Sequence, residues 1–205
     1  MRTLTIETAT AACSVALFED GRLLAERHEV VGRGHAERLL PAIAELPDGG
    51  RAEAILVDVG PGSFTGIRVG LAVARALALG WRAEALGFSA PALVAARALA
   101  EPGAPAALAV VMEGGHGELF MQAFATSPFR ALAPVRSLPP QAALSAAGTL
   151  PVRGSGAAQL LALAPGLDAA NALPRAADAL LLPEGCRSLP PVPLYGRAPD
   201  AVPPR

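Results

Sequence analysis

The chain has 205 residues, 52% of them hydrophobic, and a formal net charge of -1; this is enough apolar material for one large domain or two small ones with packed cores, and too much for a disordered polymer. Near-neutrality excludes a general attraction to nucleic acid or anionic lipid, and the 17 basic residues, all arginine, form no run. Cys13 and Cys186 form no CxxC or Cys/His cluster, and neither a leader pattern nor an uncharged run of about 18 apolar residues is present, so the sequence reads as a soluble cytoplasmic protein with two buried thiols rather than a disulfide, zinc or membrane protein.

In chain order, "RTLTIE" alternates as a strand, and Ser14 to Phe18 and Arg22 to Glu29 read as two more, joined at Asp20-Gly21. Asp-Gly between such runs marks a hairpin, because a type I′ turn needs positive φ at both central residues. Leu39, Leu40, Ile43 and Leu46 recur at helical spacing in "HAERLLPAIAEL", where Pro41 must lie in an early turn or kink the helix. A buried strand (Ala54 to Val57), the turn "GPGSFTGIRVG", a helix from about Thr65 to Leu79, a strand from Ala83 to Phe88 and a helix N-capped by Ser89 follow. "EPGAP" at 101–105 reads as a linker, dividing the chain into lobes at 1–101 and 102–205. A second strand, glycine turn and strand follow it. Past Thr126 no periodicity supports an assignment, and the tail "LPPVPLYGRAPDAVPPR" is left without one. The order βββαβαβα points to an α/β protein of actin-like type: a ribonuclease-H-like lobe followed by a degenerate second one.

The glycine turn poses a choice between ligand and packing. Gly60, Gly62 and Gly66 offer backbone amides for an anion, yet the Walker ending Gly-Lys-Ser/Thr is replaced by Gly66-Ile67-Arg68, and Thr65 breaks GxGxxG. On the packing side, Gly60-Pro61-Gly62 makes a tight turn, Ser63 or Thr65 caps a helix, and Gly66, Gly70, Ala74 and Ala78 recur every fourth residue. Small residues at that spacing form a groove that admits another helix. The other faces (Ile67, Val69, Leu71, Val73, Leu77) are apolar too, apart from Arg68, Arg75 and Arg82, so the helix needs covering on both sides.

No catalytic constellation stands out. The first turn, "ETATAACS", has Glu7 and Thr8 but no glycine to let a phosphate approach. "EGGHGE" at 113–118 sets His116 beside Glu113 and Glu118, a composition shared by metal sites and solvated hairpin turns. His28 and His35 match no zinc spacing, and no GxSxG occurs.

Together "TLTIETATAACSVALFEDG", "GHAERLLPAI", "GPGSFTGIRVG" and "GELF" resemble the TsaB (YeaZ-like) family of bacterial tRNA threonylcarbamoyladenosine synthesis, over about the first 125 residues, with "PLYGR" at 193–197 similar to the family's ending. The resemblance implies a two-lobed actin-like fold without catalytic activity or cofactor of its own, and a heterodimer with the related subunit TsaD, which holds the metal and the transfer chemistry. It also implies that the ATPase TsaE joins, that tRNA is met only through the complex, and that a homodimer forms when TsaD is absent. Contact is expected through the first two helices, at His35, Leu39, Leu40, Ile43, Gly66, Ile67, Gly70, Leu71 and Ala74. Glu7, Thr8, Gly60, Gly62, Ser63, Thr65 and Arg68 would mark a vestigial ligand turn. The chain departs from the family at Glu7, which stands for Asp, and at Glu113 and Gly115, which stand for Asp and Arg. The rival is a stand-alone actin-like phosphotransferase using ATP; a metal-dependent peptidase lacks ligand pairs.

Overall fold

The computed structural model describes residues 1–196; the last part of the tail, 197–205, including Arg197 of the terminal motif, lies outside them. The first lobe runs β1 (Arg2–Glu7), β2 (Ala12–Glu19), β3 (Arg22–Val30), α1 (His35–Ala44), β4 (Ala54–Asp58), α2 (Phe64–Trp81), β5 (Glu84–Phe88) and α3 (Ala90–Leu99). Asp20 (φ 48°) and Gly21 (φ 78°) make the hairpin turn that their sequence specifies. Pro41 sits inside α1, in its second turn, on the exposed side of the helix. Ser89 occupies the N-cap of α3 without a side-chain capping bond; the Ala90 amide donates to Gly60 O at 3.3 Å instead.

The sheet order is β3-β2-β1-β4-β5, antiparallel for the first three strands and parallel thereafter. The second lobe runs β6 (Ala107–Gly115), β7 (Glu118–Thr126), β8 (Phe129–Ala131), β9 (Arg136–Leu138), α4 (Pro140–Ala147), β10 (Val152–Arg153), α5 (Ala157–Leu163) and β11 (Ala169–Ala170). Its sheet, read as β8-β7-β6-β10-β11, has the same order and the same switch from antiparallel to parallel, with β9 added on β7. Two ribonuclease-H-like sheets of equal topology make this an actin-like fold. The elements beyond Thr126 have only two or three residues per strand, too few for a periodic pattern.

Alternation along β1, β2 and β4 gives the first sheet two unlike faces. Leu4, Ile6, Val15, Leu17, Ile55 and Val57 share one face, and α2 lies on it, since a Cβ built at Gly70 falls 3.7 Å from Ile6 Cγ2. Thr5, Glu7, Ser14, Ala16 and Asp58 share the other, where Ser14 Oγ accepts from the Ala176 amide at 3.0 Å. After β11 the chain returns over the first lobe. Gly87 and Leu189 exchange backbone bonds, Leu194 N–H donates to Val59 O at 2.7 Å, Arg75 Nη2 donates to Pro191 O, and Arg68 Nε donates to Tyr195 Oη at 3.1 Å. The proline-rich tail is thus seated through Gly196; its order comes from long-range bonds with α2, β5 and the glycine turn, which no local pattern encodes. Cys13 is buried, while Cys186, on a surface 3-10 turn, is only half-buried.

Candidate functional site

The glycine turn and the first hairpin turn are built against each other. Gly60 takes φ 102° with Leu194 O where a Cβ would stand, and Gly62 lies on the backbone of Ala9, whose carbonyl accepts from Ser63 N–H at 2.7 Å. Ser63 caps α2, its Oγ accepting from Gly66 N–H at 3.2 Å; Thr65 is exposed and does not cap. Thr8 Oγ1 donates to Gly66 O at 2.8 Å. Cβ atoms at Gly66 and Gly70 would run into Thr8 O and Thr8 Oγ1 respectively. The small-residue groove of α2 is therefore filled by the protein's own first turn.

Most of the expected contact residues are buried within the lobe. Gly66, Ile67, Gly70, Leu71 and Ala74 are buried on the sheet, as are Leu39 and Ile43. His35 is buried too, its Nε2 donating to Ala12 O at 3.0 Å. Of the nine, Leu40 alone is free, 51% exposed. The uncovered surface of α2 is its other side: Thr65, Ala72, Ala76 and Leu79 (83%) are exposed and Val69 and Val73 half-buried, a stripe at i, i+4, i+7, i+8, i+11 and i+14. Beside it α1, packed on α2, exposes Leu40, Pro41 and Ala44. By length and composition α2 would suffice to cross a membrane; its composition is accounted for by one face on the sheet and one uncovered, with Arg68 and Arg75 bonded to the tail.

One amide of each turn is held by an internal carboxyl. Ala9 N–H donates to Glu7 Oε1 at 2.8 Å. Gly60 N–H donates to Asp58 Oδ1 at 2.7 Å. Glu7 and Asp58, neighbours in the β1–β4 register, are fully buried. Burial first, then the Asp58 charge, pushes the Glu7 carboxyl well above its usual range. Burial pushes Asp58 up to about 8 against the pull of the Gly60 amide. Internal carboxyls thus occupy the anion position of both turns.

Between the lobes a cleft of about 900 Å³ is lined by the first turn, Arg33, Phe64, Arg68, His116, Ser155 and Tyr195. Arg68 lies 3.5 Å over the Phe64 ring besides its bond to Tyr195. The second hairpin turn closes the far wall: Glu113 N–H donates to Ser155 Oγ, Glu118 Oε2 accepts from Ser137 Oγ at 2.6 Å, and His116, at φ 54°, is exposed. Among the described residues no three His, Cys, Asp or Glu side chains gather as a metal site. Asp58 escaped the sequence reading; an acid closing a buried strand just before the glycine turn was its signal. Tyr195 escaped it because its partners are 127 and 131 residues away.

A family model described as "TsaD: tRNA N6-adenosine threonylcarbamoyltransferase" matches residues 28–135. The chain is 39% identical over 125 residues to the tRNA threonylcarbamoyladenosine biosynthesis protein TsaB of Escherichia coli, covering 58% of this chain and 53% of that protein. It is 43% identical over 82 residues to the protein of the same description from Haemophilus influenzae, covering 38% of this chain and 34% of the relative. It therefore spans about half or less of these curated relatives. The solved structure of YeaZ from Pseudomonas aeruginosa superposes with a TM-score of 0.78 at 29% identity, covering 95% of this chain and 99% of that one. A crystal structure described as an uncharacterized protein with similarity to peptidase YEAZ, also from Pseudomonas aeruginosa, gives 0.79 at 30% identity, covering 96% and 99%.

Proposed function

Because this chain belongs to the TsaB/YeaZ family of tRNA threonylcarbamoyladenosine biosynthesis proteins, we propose that it is a non-catalytic scaffold of the bacterial tRNA N6-threonylcarbamoyladenosine-modifying complex, presenting the free faces of α1 and α2 to TsaD. TsaE joins the same assembly, tRNA is engaged through the complex, and ATP and metal are held by the partner subunits. Without TsaD a second copy of this chain takes the same face.

The observation that carries this reading is the stripe on α2. A helix whose sheet-facing side is filled, and whose outer side still offers Val69, Ala72, Val73, Ala76 and Leu79, gains about 25 cal/mol for each Å² of apolar surface a partner removes from water. Its small side chains admit close approach of a second helix. The rival reading, an ATP-dependent phosphotransferase, is disfavoured because an internal carboxyl already sits at each turn, Glu7 on the Ala9 amide and Asp58 on the Gly60 amide.

Ala72→Arg/Ala76→Arg tests the face. Both positions are exposed and Arg is nearly as good a helix former as Ala, so the variant should unfold like the parent. Capture of co-expressed TsaD should fall by on the order of tenfold or more, about 1.4 kcal/mol, and threonylcarbamoyladenosine on tRNA should fall with it. A folded variant that captures TsaD as strongly as the parent refutes this face. Micromolar binding and turnover of ATP with Mg²⁺ by the isolated chain refutes the scaffold.

A further inference from the structure

Glu7 and Asp58 end two adjacent parallel strands on the sheet face turned away from α2. Each carboxyl clasps a turn with one oxygen: Glu7 the amide of Ala9, Asp58 that of Gly60. Each keeps a second, fully buried oxygen, Glu7 Oε2 and Asp58 Oδ2, that no N–H or hydroxyl reaches. The two carboxyls directly follow the paired Ile6 and Val57 on adjacent strands, near enough that the Asp58 charge acts on Glu7. Two anions cannot share that space, so a proton held between them is the way both oxygens are satisfied.

What the pair clasps is the seat of α2. The turn after Glu7 carries Thr8, against which Gly66 and Gly70 rest, and Ala9, which receives Ser63 N–H. The turn after Asp58 is the glycine turn, whose Gly60 O accepts from the Ala90 amide at the start of α3. We propose that Glu7 and Asp58 form a proton-dependent latch that holds the first turn, the glycine turn and the start of α3 together, and that loss of its proton loosens the seat of α2. The latch stands on the isolated chain's geometry; its consequence for partner capture rests on the docking face proposed above.

Among the described residues no cation bonds either carboxyl. On β2 the Glu7 charge helps burial push the Cys13 thiol up to about 11, so Cys13 is neutral below that. On the carboxyls' own sheet face Ser14 and Thr5 are uncharged; His28, beside Ser14, is held below its ordinary range by burial and lies with Glu26, Arg175 and Asp178, which act on one another. The buried part of α3 is Ala90 to Ala96, and Arg97 near its end pairs with Glu101 and Asp178. From α2, Arg68 and Arg75 reach the tail.

The sign follows from linkage. Both carboxyls are raised in the folded state, so their contribution is fully present below the ordinary carboxylate range and is lost as pH rises through the folded values, about 8 for Asp58. One extra proton bound by the folded chain raises the unfolding constant about tenfold per pH unit across that window. Glu7→Gln keeps an acceptor for Ala9 N–H and supplies an N–H toward Asp58, imitating the protonated pair; Glu7→Gln/Asp58→Asn removes both titrating groups.

The test is urea unfolding of the isolated protein between pH 5 and 9, with amide exchange at Ala9 and Gly60 followed alongside. The parent should lose stability and protection toward pH 8, beyond the intrinsic pH dependence of exchange, and the double variant should lack that fall, keeping only the opposite slope that half-buried His28 gives at the acid end. Asp58→Asn alone covers the case in which Glu7→Gln does not fold. A parent that is flat over this range, or a folded double variant that keeps the parent's slope, overturns the latch. Neither result depends on TsaD, so failure here is distinct from failure of the docking face.

Discussion

Alanine placed at two glycines of one helix should act with opposite sign. In a helix interior Gly→Ala gains about 0.5–1 kcal/mol, because alanine loses less backbone freedom on folding. Gly80, near the exposed end of α2, has no heavy atom within 4 Å of a built Cβ, so Gly80→Ala should keep up to that gain and raise the melting temperature by about 1–4 °C. At Gly66 the new methyl falls on Thr8 O, with Thr8 C at 3.2 Å and Ser63 Cβ at 3.3 Å. The obstacle is backbone, held by β1 and by the Glu7 clasp, and cannot rotate away as a side chain would. Overpacking of this kind costs about 1–3 kcal/mol, and disturbing the Thr8 Oγ1–Gly66 O bond adds about 0.5–1.5 kcal/mol. After subtracting the helix gain, Gly66→Ala should be destabilised by about 0.5–4 kcal/mol, or about 1–16 °C. Far-UV circular dichroism melts of the two variants beside the parent decide it. If Gly66→Ala melts at or above the parent, α2 is not seated on Thr8, and its exposed face has been assigned to the wrong side.

Gly70→Leu should act in the same way as Gly66→Ala, lowering the melting temperature through Thr8; any fall in association should track the unfolded fraction measured in the same sample. Alkylation at pH 8 should label half-buried Cys186 in the native protein and leave Cys13, whose thiol burial pushes to about 11, unmodified until urea is added; mass spectrometry of the peptides reads this. Truncation after Ser188 should speed amide exchange at Gly87, whose N–H bonds Leu189 O at 2.6 Å, while exchange at the centre of β2 stays slow. Arg38 holds the Glu29 and Glu45 carboxyls below their usual range, so their contribution is present above that range and lost as pH falls through the folded values; Arg38→Ala should flatten the acid limb of stability below about pH 5.

The elements that stood out in the sequence are those whose pattern is local. Asp20-Gly21 makes its turn by the φ values those two residues tolerate, and Ser63 caps α2 because a hydroxyl three residues before Gly66 can only reach its amide by starting a helix there. Glycines at 66 and 70 announced close packing, and close packing is what they do. What spacing does not encode is the identity of the neighbour: Thr8 is 58 residues from Gly66, so a groove for a partner and a groove for one's own backbone look alike in sequence. The same holds for His35, whose ring reaches Ala12 across 23 residues, and for the tail, whose order depends on Gly87, Val59 and Arg68. Asp58 lay just past the strand read at Ala54 to Val57 and drew no notice, because the acid beside it is Glu7, on a different strand.

The two faces of α2 also explain each other. A docking helix that must be ordered on binding spends part of its contact energy on that ordering, whereas one held in place beforehand keeps it for the partner. Glycines at 66 and 70 bring the α2 backbone onto Thr8, Ser63 closes its first turn, and the tail fixes Arg68 and Arg75 along its flank. Each of these contacts uses the sheet side or the edges of the helix, and none uses Ala72, Ala76 or Leu79. The turns that could have cradled a phosphate therefore serve, closed by their own carboxyls, as the footing of an apolar face, and stiffening that footing should lower the cost of docking without adding a contact.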